Sequence, residues 1–144
     1  MLERRRRASL DLVVVDAFVA MEVPEHLTTV EFAAVARRAL RPRGWLAVNV
    51  VEHPAITRPG RDASRAEPIA AALAATFAHL AVIAGRKVLR GRQGGNVVLL
   101  ASDAPLPLER LAALARRGPV PEVALGGAEA AAFAAAAPAR YDSG

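Results

Sequence analysis

Apolar segments alternate with amphipathic ones along the first two thirds of the chain. A continuous apolar run between Asp11 and Asp16 and a second segment at 45–51 lack an alternating pattern, which is typical of parallel strands buried on both faces. Further apolar segments at 80–89, irregular around Gly85, and at 96–102 flank a glycine-rich turn. This arrangement predicts an antiparallel hairpin at the end of a series of four strands.

Amphipathic segments lie between and after these strands. Thr28 followed by Glu31 fits a capping box, and it opens a helix that Pro42 ends. Further helices are predicted over 65–79 and 107–117. The order is therefore strand, helix, strand, helix, strand, strand, helix. Strands that alternate with helices in this way predict an α/β fold with a parallel sheet and right-handed crossovers.

The two ends of the chain differ from this regular centre. Residues 1–9 form a basic flank with an arginine run at 4–7. After the last predicted helix, residues 119–144 are rich in proline and alanine. The sequence thus predicts a single domain over 10–118, followed by a mobile or loosely attached tail.

Composition narrows the class of protein. The 144 residues are 53% hydrophobic and contain no cysteine, which excludes wholesale disorder, disulfide scaffolds and thiolate chemistry. The apolar runs are too short to span a bilayer, and the N-terminal segment lacks the pattern of a signal peptide. We therefore expect a cytoplasmic protein without a membrane span. The three histidines are scattered, so no metal site is predicted.

The formal net charge is +5, and arginine supplies 18 of the 19 basic residues. A basic balance can indicate a polyanionic partner. Alanine, however, makes up about a quarter of the chain. High contents of arginine and alanine together are typical of a GC-rich coding sequence. No aromatic side chains interleave with the arginines to stack on bases. The sequence therefore disfavours the hypothesis of nucleic-acid binding. Duplex binding with a steep salt dependence would support that hypothesis again.

Four segments together carry a resemblance to a known family. DLVVVDAF at 11–18, VPEHLTTVEF at 23–32 and LRPRGWLAVNV at 40–50 occur in this order, and GGNVVLLAS at 94–102 closes the pattern. Over residues 10–118 the chain resembles the spermidine synthase-like family, which acts in polyamine biosynthesis. The resemblance implies a Rossmann-like, methyltransferase-type three-layer sandwich. Its sheet would be mostly parallel, with a C-terminal antiparallel hairpin.

The resemblance covers only the C-terminal half of that fold. In the family, the preceding strands carry the glycine-rich loop and the acidic residue that hold S-adenosylmethionine or decarboxylated S-adenosylmethionine. This sequence has no G-x-G-x-x-G motif, and Gly94-Gly95 lies within the predicted hairpin instead of between a strand and a helix. We therefore expect a truncated fold, inactive as an isolated chain, in which the adenosine-binding half has no counterpart.

Asp16 is the candidate catalytic residue. It follows the first strand, where the family has a carboxylate that deprotonates or orients the attacking amine. An amine is protonated at neutral pH and must be neutral to attack the carbon next to a sulfonium, so a general base is needed. Polyamine synthases usually show D-S-x-D-P here, whereas this chain has D-A-F-V-A at 16–20 and lacks the second acid. The structural alternative for Asp16 is a carboxylate that caps a loop.

His26, Glu52 and His53 are the candidates for contacts to the substrate. The loop that holds His26 borders the site in the family, and Glu52 and His53 follow the second strand at the same rim. His26 could instead support Thr28, which is expected to cap the first helix. Asn49 is expected to bond a loop, which is a structural role.

Three functions follow from these residues. The resemblance predicts aminopropyl transfer from decarboxylated S-adenosylmethionine to a small-molecule amine, provided that the fold is completed. An S-adenosylmethionine-dependent methyltransferase is the first alternative, because one fold serves both reactions and the second acid is missing. A noncatalytic fragment or interaction protein is the other. The open edge of the strand from Leu12 to Val15 also predicts a homodimer, a partner chain that pairs with this strand, or aggregation.

Overall fold

A computed structural model describes residues 1–54 and 64–143 of the chain. The strands are β1 (Leu10–Val15), β2 (Leu40–Glu52), β3 (His79–Ala84), β4 (Gly95–Ser102) and β5 (Val123–Leu125). The α-helices are α1 (Val30–Ala39), α2 (Ala66–Thr76), α3 (Arg86–Leu89), α4 (Leu108–Arg116) and α5 (Gly127–Ala135). Short 3-10 helices cover Leu2–Arg4 and Glu25–Leu27. Within the described ranges, no helix has the length and apolar character needed to cross a membrane.

The strands form one mixed sheet in the order β1-β2-β4-β3-β5. β1 pairs with β2 in parallel, whereas β4 lies antiparallel between β2 and β3. β1, β2 and β3 therefore run in the same direction, and the predicted antiparallel pairing of the last two strands of the series is confirmed. Helices pack on both faces of the sheet, which gives the three layers of an α/β sandwich.

The larger hydrophobic core lies between the sheet and three helices, α1, α2 and α5. Valine and leucine side chains of β2 and β4, such as Val48 and Leu99, point into it and are buried. The helices contribute mainly alanine, including Ala36, Ala70 and Ala130. Small side chains let a helix approach the sheet closely, so the alanine-rich composition is used in packing and is more than a bias of the coding sequence.

The opposite face of the sheet is covered only in part. There Leu106 and Leu111, before and within α4, pack near Leu100 of β4. Leu12 and Val14 on β1 are instead 53% and 58% exposed. The prediction that this first strand is buried on both faces is therefore wrong for the described residues, because no helix among them lies over that side of β1.

The segment after residue 118 is built into the fold. β5 pairs antiparallel with β3, and α5 buries Ala130 and Ala134 against the larger core. The backbone N–H of Val30 donates to the carbonyl of Arg140 over 2.9 Å, which ties the C-terminal segment to the start of α1. The predicted loose attachment of the segment after residue 118 is thus wrong for the described residues 119–143. Its alanines offer little apolar area individually, but they fit a narrow space beside α2.

The start of the first helix differs by one residue from the capping box that the sequence predicts. Thr29 is the N-cap, and its hydroxyl oxygen accepts a hydrogen bond from the backbone N–H of Phe32 at 3.2 Å. Thr28 donates its hydroxyl to the carbonyl of Glu25 over 2.7 Å instead. Both threonines therefore act at the helix start, but only Thr29 caps α1.

The irregular strand predicted over 80–89 also divides into two elements. β3 ends at Ala84, and Lys87 and Leu89 belong to the single-turn helix α3. Gly85 lies between the two elements. Val88, in this helix, packs against Gly95 at the start of β4.

Candidate functional site

The carboxyl ends of β1 and β2 lie at the same end of the sheet, which we call the upper rim, and β2 continues to Glu52, four residues beyond the partner of Val15. Asp16 directly follows β1, Glu52 is the last residue of β2, and His53 comes next. His26 lies in the 3-10 helix that joins β1 to α1, so it belongs to the same end of the sheet. The structure therefore places all four predicted site residues at the upper rim, while their roles stay predictions.

Asp16 is held by a side chain of the neighbouring strand. Asn49 Nδ2 donates a hydrogen bond to Asp16 Oδ1 over 3.0 Å. The parallel register explains this contact, because Val15 lies opposite Val48 and the next residue on each strand projects to the same side. Asp16 is exposed, so its carboxylate is open to a ligand while one of its oxygens is held in place.

The amide of Asn49 has a fixed orientation. A carboxylate only accepts hydrogen bonds, so the amide nitrogen faces Asp16 and the amide oxygen faces the interior. Asn49 Oδ1 is buried there, without a hydrogen-bond partner among residues 1–54 and 64–143. A buried unsatisfied acceptor costs about 1–3 kcal/mol. The hydrogen bond to Asp16 therefore offsets part of the free energy lost by burying this oxygen. An apolar side chain at position 49 would not have this cost.

Glu52 anchors the start of α2. It is 3% exposed, and its Oε1 accepts hydrogen bonds from the backbone N–H groups of Arg65 and Ala66, both at 2.6 Å. The hydroxyl of Ser64 donates to the same oxygen over 3.0 Å. The first N–H groups of a helix lack partners within the helix, and a negative charge is favourable at that end. Glu52 thus has a structural contact, and its predicted contact with a substrate stays a prediction.

The two predicted histidines lie in different surroundings. The backbone of His53 passes close to Gly94, since a Cβ placed on that glycine would lie 3.9 Å from His53 Cα and 3.2 Å from the carbonyl oxygen of Glu52. A glycine at position 94 therefore lets β4 begin directly beside the end of β2. His53 is half-buried, whereas His26 is exposed.

The loop between Asp16 and the 3-10 helix is fastened to α2. Val19 and Glu22 exchange backbone hydrogen bonds at 2.8 and 3.0 Å around a turn formed by Ala20 and Met21. Arg65 donates to Glu22 Oε1 over 2.8 Å and to the carbonyl of Met21 over 3.3 Å. Sequence reasoning missed this contact, because Glu22 and Arg65 are 43 residues apart and no local spacing signals such a pair.

A small cavity lies beside this fastened loop. It encloses about 160 Å³, and its lining includes Glu22, Ser64 and Arg65. Sites for small organic ligands typically enclose about 300–1,000 Å³. The cavity is therefore too small to hold a nucleoside, and the accessible chemistry of the upper rim is on the open side, at Asp16.

The fold has a counterpart among solved structures. A crystal structure of a probable spermidine synthase from Corynebacterium glutamicum matches it with a TM-score of 0.85 at 29% sequence identity. The match covers 99% of this chain and 50% of that chain, so this chain spans about half the length of its structural neighbour. No family model and no curated protein sequence matches this chain. The chain has a mixed α/β fold of the spermidine synthase and methyltransferase type, over the part that it spans.

Proposed function

We propose that the upper rim is the acceptor side of an aminopropyltransferase site. The reaction is transfer of an aminopropyl group from decarboxylated S-adenosylmethionine to a small-molecule amine, in the cytoplasm. The observation that carries the proposal is the exposed carboxylate of Asp16, held by Asn49 at the carboxyl end of β1. It occurs in a chain that is similar, over nearly all its length, to a probable spermidine synthase.

Asp16 acts as the general base in this proposal. An alkylammonium group has a pKa of about 10, so nearly all of the acceptor is protonated at neutral pH. Asp16 accepts a hydrogen bond from the ammonium group and takes a proton as the nitrogen attacks. The nitrogen bonds to the carbon next to the donor's sulfonium, and the carbon–sulfur bond breaks with its electron pair on sulfur. The products are the alkylated amine and a neutral thioether.

Asn49 is a positioning residue in this scheme. Its Nδ2 donates a hydrogen bond to one carboxylate oxygen of Asp16, and the other oxygen then faces the acceptor. His26, Glu52 and His53 are proposed to line the path of the amine at the same rim. Glu52 is already bonded to the start of α2, so its contribution to the amine would be electrostatic.

The described residues of the upper rim do not fit the adenosine part of the donor. The connection from β1 to α1, residues 16–29, contains no glycine, although close approach of a backbone to a nucleotide needs one. The cavity beside it is also too small for a nucleoside. The proposal therefore assigns adenosine binding to a part of the fold outside residues 1–144, and the isolated chain is expected to show no turnover.

A methyltransferase is the second candidate, and the loop after Asp16 favours it. Val19 lies at the position where polyamine synthases usually have a second acid, and its side chain is 68% exposed. Phe18 and Met21 beside it are exposed as well. A second cationic group of a polyamine would find an apolar surface there. A singly charged or neutral acceptor suits this loop better.

Thermal unfolding with ligands tests the proposal and separates the two candidates. The chain is melted with a diamine, 5′-methylthioadenosine, S-adenosylmethionine or decarboxylated S-adenosylmethionine. A ligand at 100 times its Kd adds about 2.7 kcal/mol of stability. We expect the diamine to raise the melting temperature, and we expect Asp16→Asn to abolish this effect. The nucleosides should not raise the melting temperature. A larger rise with S-adenosylmethionine than with its decarboxylated form would favour methyl transfer, and it would contradict the assignment of adenosine binding to a part of the fold outside residues 1–144. No rise with the diamine would contradict the proposed acceptor site.

A further inference from the structure

A basic cavity lies at the lower end of the sheet, opposite the upper rim, where β2 begins and β4 ends. It has a volume of about 530 Å³, and its charged lining residues are Arg7, Arg37, Arg38, Arg41 and Asp103. Sites for small organic ligands typically enclose about 300–1,000 Å³, so this cavity has the size of a ligand site. The acceptor site proposed at the upper rim uses none of these residues.

The basic flank at the start of the chain is fixed beside this cavity. Leu2 packs against the larger core, and the carbonyl of Glu3 accepts a hydrogen bond from Arg38 Nη2 over 2.7 Å. The backbone N–H of Ala8 donates to the carbonyl of Arg38 over 3.1 Å. Ala8 has a φ of 49°, a left-handed conformation that is uncommon for a residue with a Cβ. Arg7, directly before it, is therefore held at the end of α1.

An irregularity of the sheet places Arg41 at the cavity. Between Leu40 and Trp45, β2 has four residues, whereas β1 has a single residue, Asp11, between their partners. Bulges re-aim side chains that a regular ladder would direct elsewhere. Arg41 Nη1 donates to Asp11 Oδ1 over 2.7 Å. A Cβ on Gly44 would lie 3.0 Å from the carbonyl oxygen of Arg41 and 3.1 Å from that of Asp11, so the bulge is closely packed.

The arginines keep hydrogen-bond donors for a ligand. A guanidinium group carries five N–H donors. Within residues 1–54 and 64–143, Arg37 uses only its Nε, which donates to Asp103 Oδ2 over 2.7 Å, and Arg7 has no hydrogen bond or ion pair. The side chains of Arg37 and Arg41 are 55% and 53% exposed. Exposed ion pairs contribute little to stability, so these two arginines can turn to a ligand at low cost.

The end of α1 explains only two of the four arginines. Arg37 and Arg38 lie in its last turn, where a positive charge is favourable. Arg7 belongs to the N-terminal flank and Arg41 to the bulge of β2, so the helix accounts for neither. Three segments therefore bring positive charge to one cavity, and its described lining has a single acidic residue, Asp103. Like charges repel each other, and an anion bound between them would remove this repulsion.

We propose that this cavity binds a small anion of the phosphate class that carries two or more negative charges. Guanidinium groups match phosphate oxygens with paired N–H donors, and a singly charged anion would neutralise less of the positive charge. Leu40, Pro42 and Phe77 in the lining offer an apolar wall to an organic group attached to the phosphate. A nucleic acid is a poorer fit, because its phosphates are spread along a backbone while these arginines line one cavity.

Calorimetric titration of the whole chain with inorganic pyrophosphate, at constant ionic strength, tests the proposal. We expect one site per chain, and Arg7→Gln should weaken binding about tenfold through the loss of one charged donor group. Arg110→Gln is the matched control, since this arginine is exposed on α4 at the other face of the sheet and should have no effect. Absence of binding, or equal weakening by both variants, would overturn the proposal.

Ala34 offers a test that separates charge from shape. This alanine is exposed on α1 and lines the cavity, one turn before Arg37 and Arg38. Ala34→Glu places a carboxylate within reach of both arginines and should weaken pyrophosphate binding about tenfold or more. Ala34→Gln has nearly the same shape without the charge and should weaken it far less. Both variants should keep the circular dichroism spectrum of the parent chain, and an equal loss in both would contradict an anion site.

Further ligands identify the class of anion. Tighter binding of phenyl phosphate than of inorganic phosphate would support an organic phosphate as the ligand, and the reverse order would support the inorganic ion. Both results agree with the proposal. Tighter binding of citrate than of pyrophosphate would overturn the assignment to phosphate. Tighter binding of a DNA duplex, with a steep dependence on salt, would overturn the assignment to a small anion.

Discussion

Asn49 Nδ2 lies 3.0 Å from Asp16 Oδ1, across the only parallel strand pair among the described residues. The contact fixes an exposed carboxylate at the carboxyl end of β1 and leaves the amide oxygen of Asn49 buried without a partner within the described ranges. The unsatisfied amide oxygen lowers the stability of the fold, while the hydrogen bond orients the carboxylate. Such a loss of stability is common where a binding site is organised before its ligand binds.

Asn49→Leu separates stability from binding. The change removes one hydrogen bond, worth about 1 kcal/mol, and also removes a buried unsatisfied acceptor that costs about 1–3 kcal/mol. We expect the free energy of unfolding in urea to stay the same or to rise by about 1 kcal/mol. Binding of a diamine should weaken, because Asp16 loses the group that orients it. A large loss of stability would show that Asn49 is a purely structural residue.

Glu52→Ala should destabilise the fold by about 2–4 kcal/mol, because the N–H groups of Arg65 and Ala66 lose their acceptor at the start of α2. Glu52→Gln keeps an oxygen at the same place and loses only the charge, so it should cost about 1 kcal/mol. Urea denaturation measures both. The control is Glu129→Ala, in the exposed first turn of α5, for which a loss below about 1 kcal/mol is expected. Equal losses for all three variants would contradict the anchoring role of Glu52.

Met21→Gly should stabilise the loop that follows Asp16. Ala20 and Met21 have φ values of 49° and 69°, in the left-handed region. That conformation costs a non-glycine residue about 1–2 kcal/mol. Glycine removes this cost but loses more chain entropy on folding, so a net gain of about 0.5–1 kcal/mol is expected. Thermal unfolding measures the gain. Ala17→Gly, in the same loop without a positive φ, should lower the melting temperature slightly, and a similar fall for Met21→Gly would contradict the strain.

Gly126→Ala tests whether the C-terminal segment is docked on the rest of the fold. A Cβ at this position would collide with the side chain of Leu108 on α4. Leu108 is half exposed and can move aside, so we expect a loss of about 1–2 kcal/mol in urea denaturation. Leu108→Ala in the same chain should reduce that loss. Gly118→Ala is the control, since its Cβ would only make an ordinary contact at 3.4 Å from the carbonyl of Val120. No effect of Gly126→Ala would mean that residues 119–144 behave as a loose tail.

The strand and helix order was predictable, because it depends on local patterns. Continuous apolar runs marked β1, β2 and β4, and the glycine-rich turn before Asn96 marked the antiparallel strand. α5 was missed because a run of alanines has helical propensity but almost no amphipathic signal. Whether such a helix docks depends on a space between α2 and β3, which no local pattern describes.

For the candidate site, the sequence predicted only a location, and that location stays a prediction. The sequence placed Asp16, His26, Glu52 and His53 at strand ends and loops of one rim, since the carboxyl ends of parallel strands meet there. It could not show that Asn49 holds Asp16, or that Glu52 holds the start of α2. Those contacts depend on strand register and helix placement.

The sequence by itself determined the class of fold and the direction of its central strands. These follow from side-chain periodicity, which acts over a few residues. Only the tertiary structure decided that Leu12 and Val14 on β1 are exposed, and that α5 completes the core. Burial is a property of what packs against a residue, and no helix among the described residues covers Leu12 and Val14.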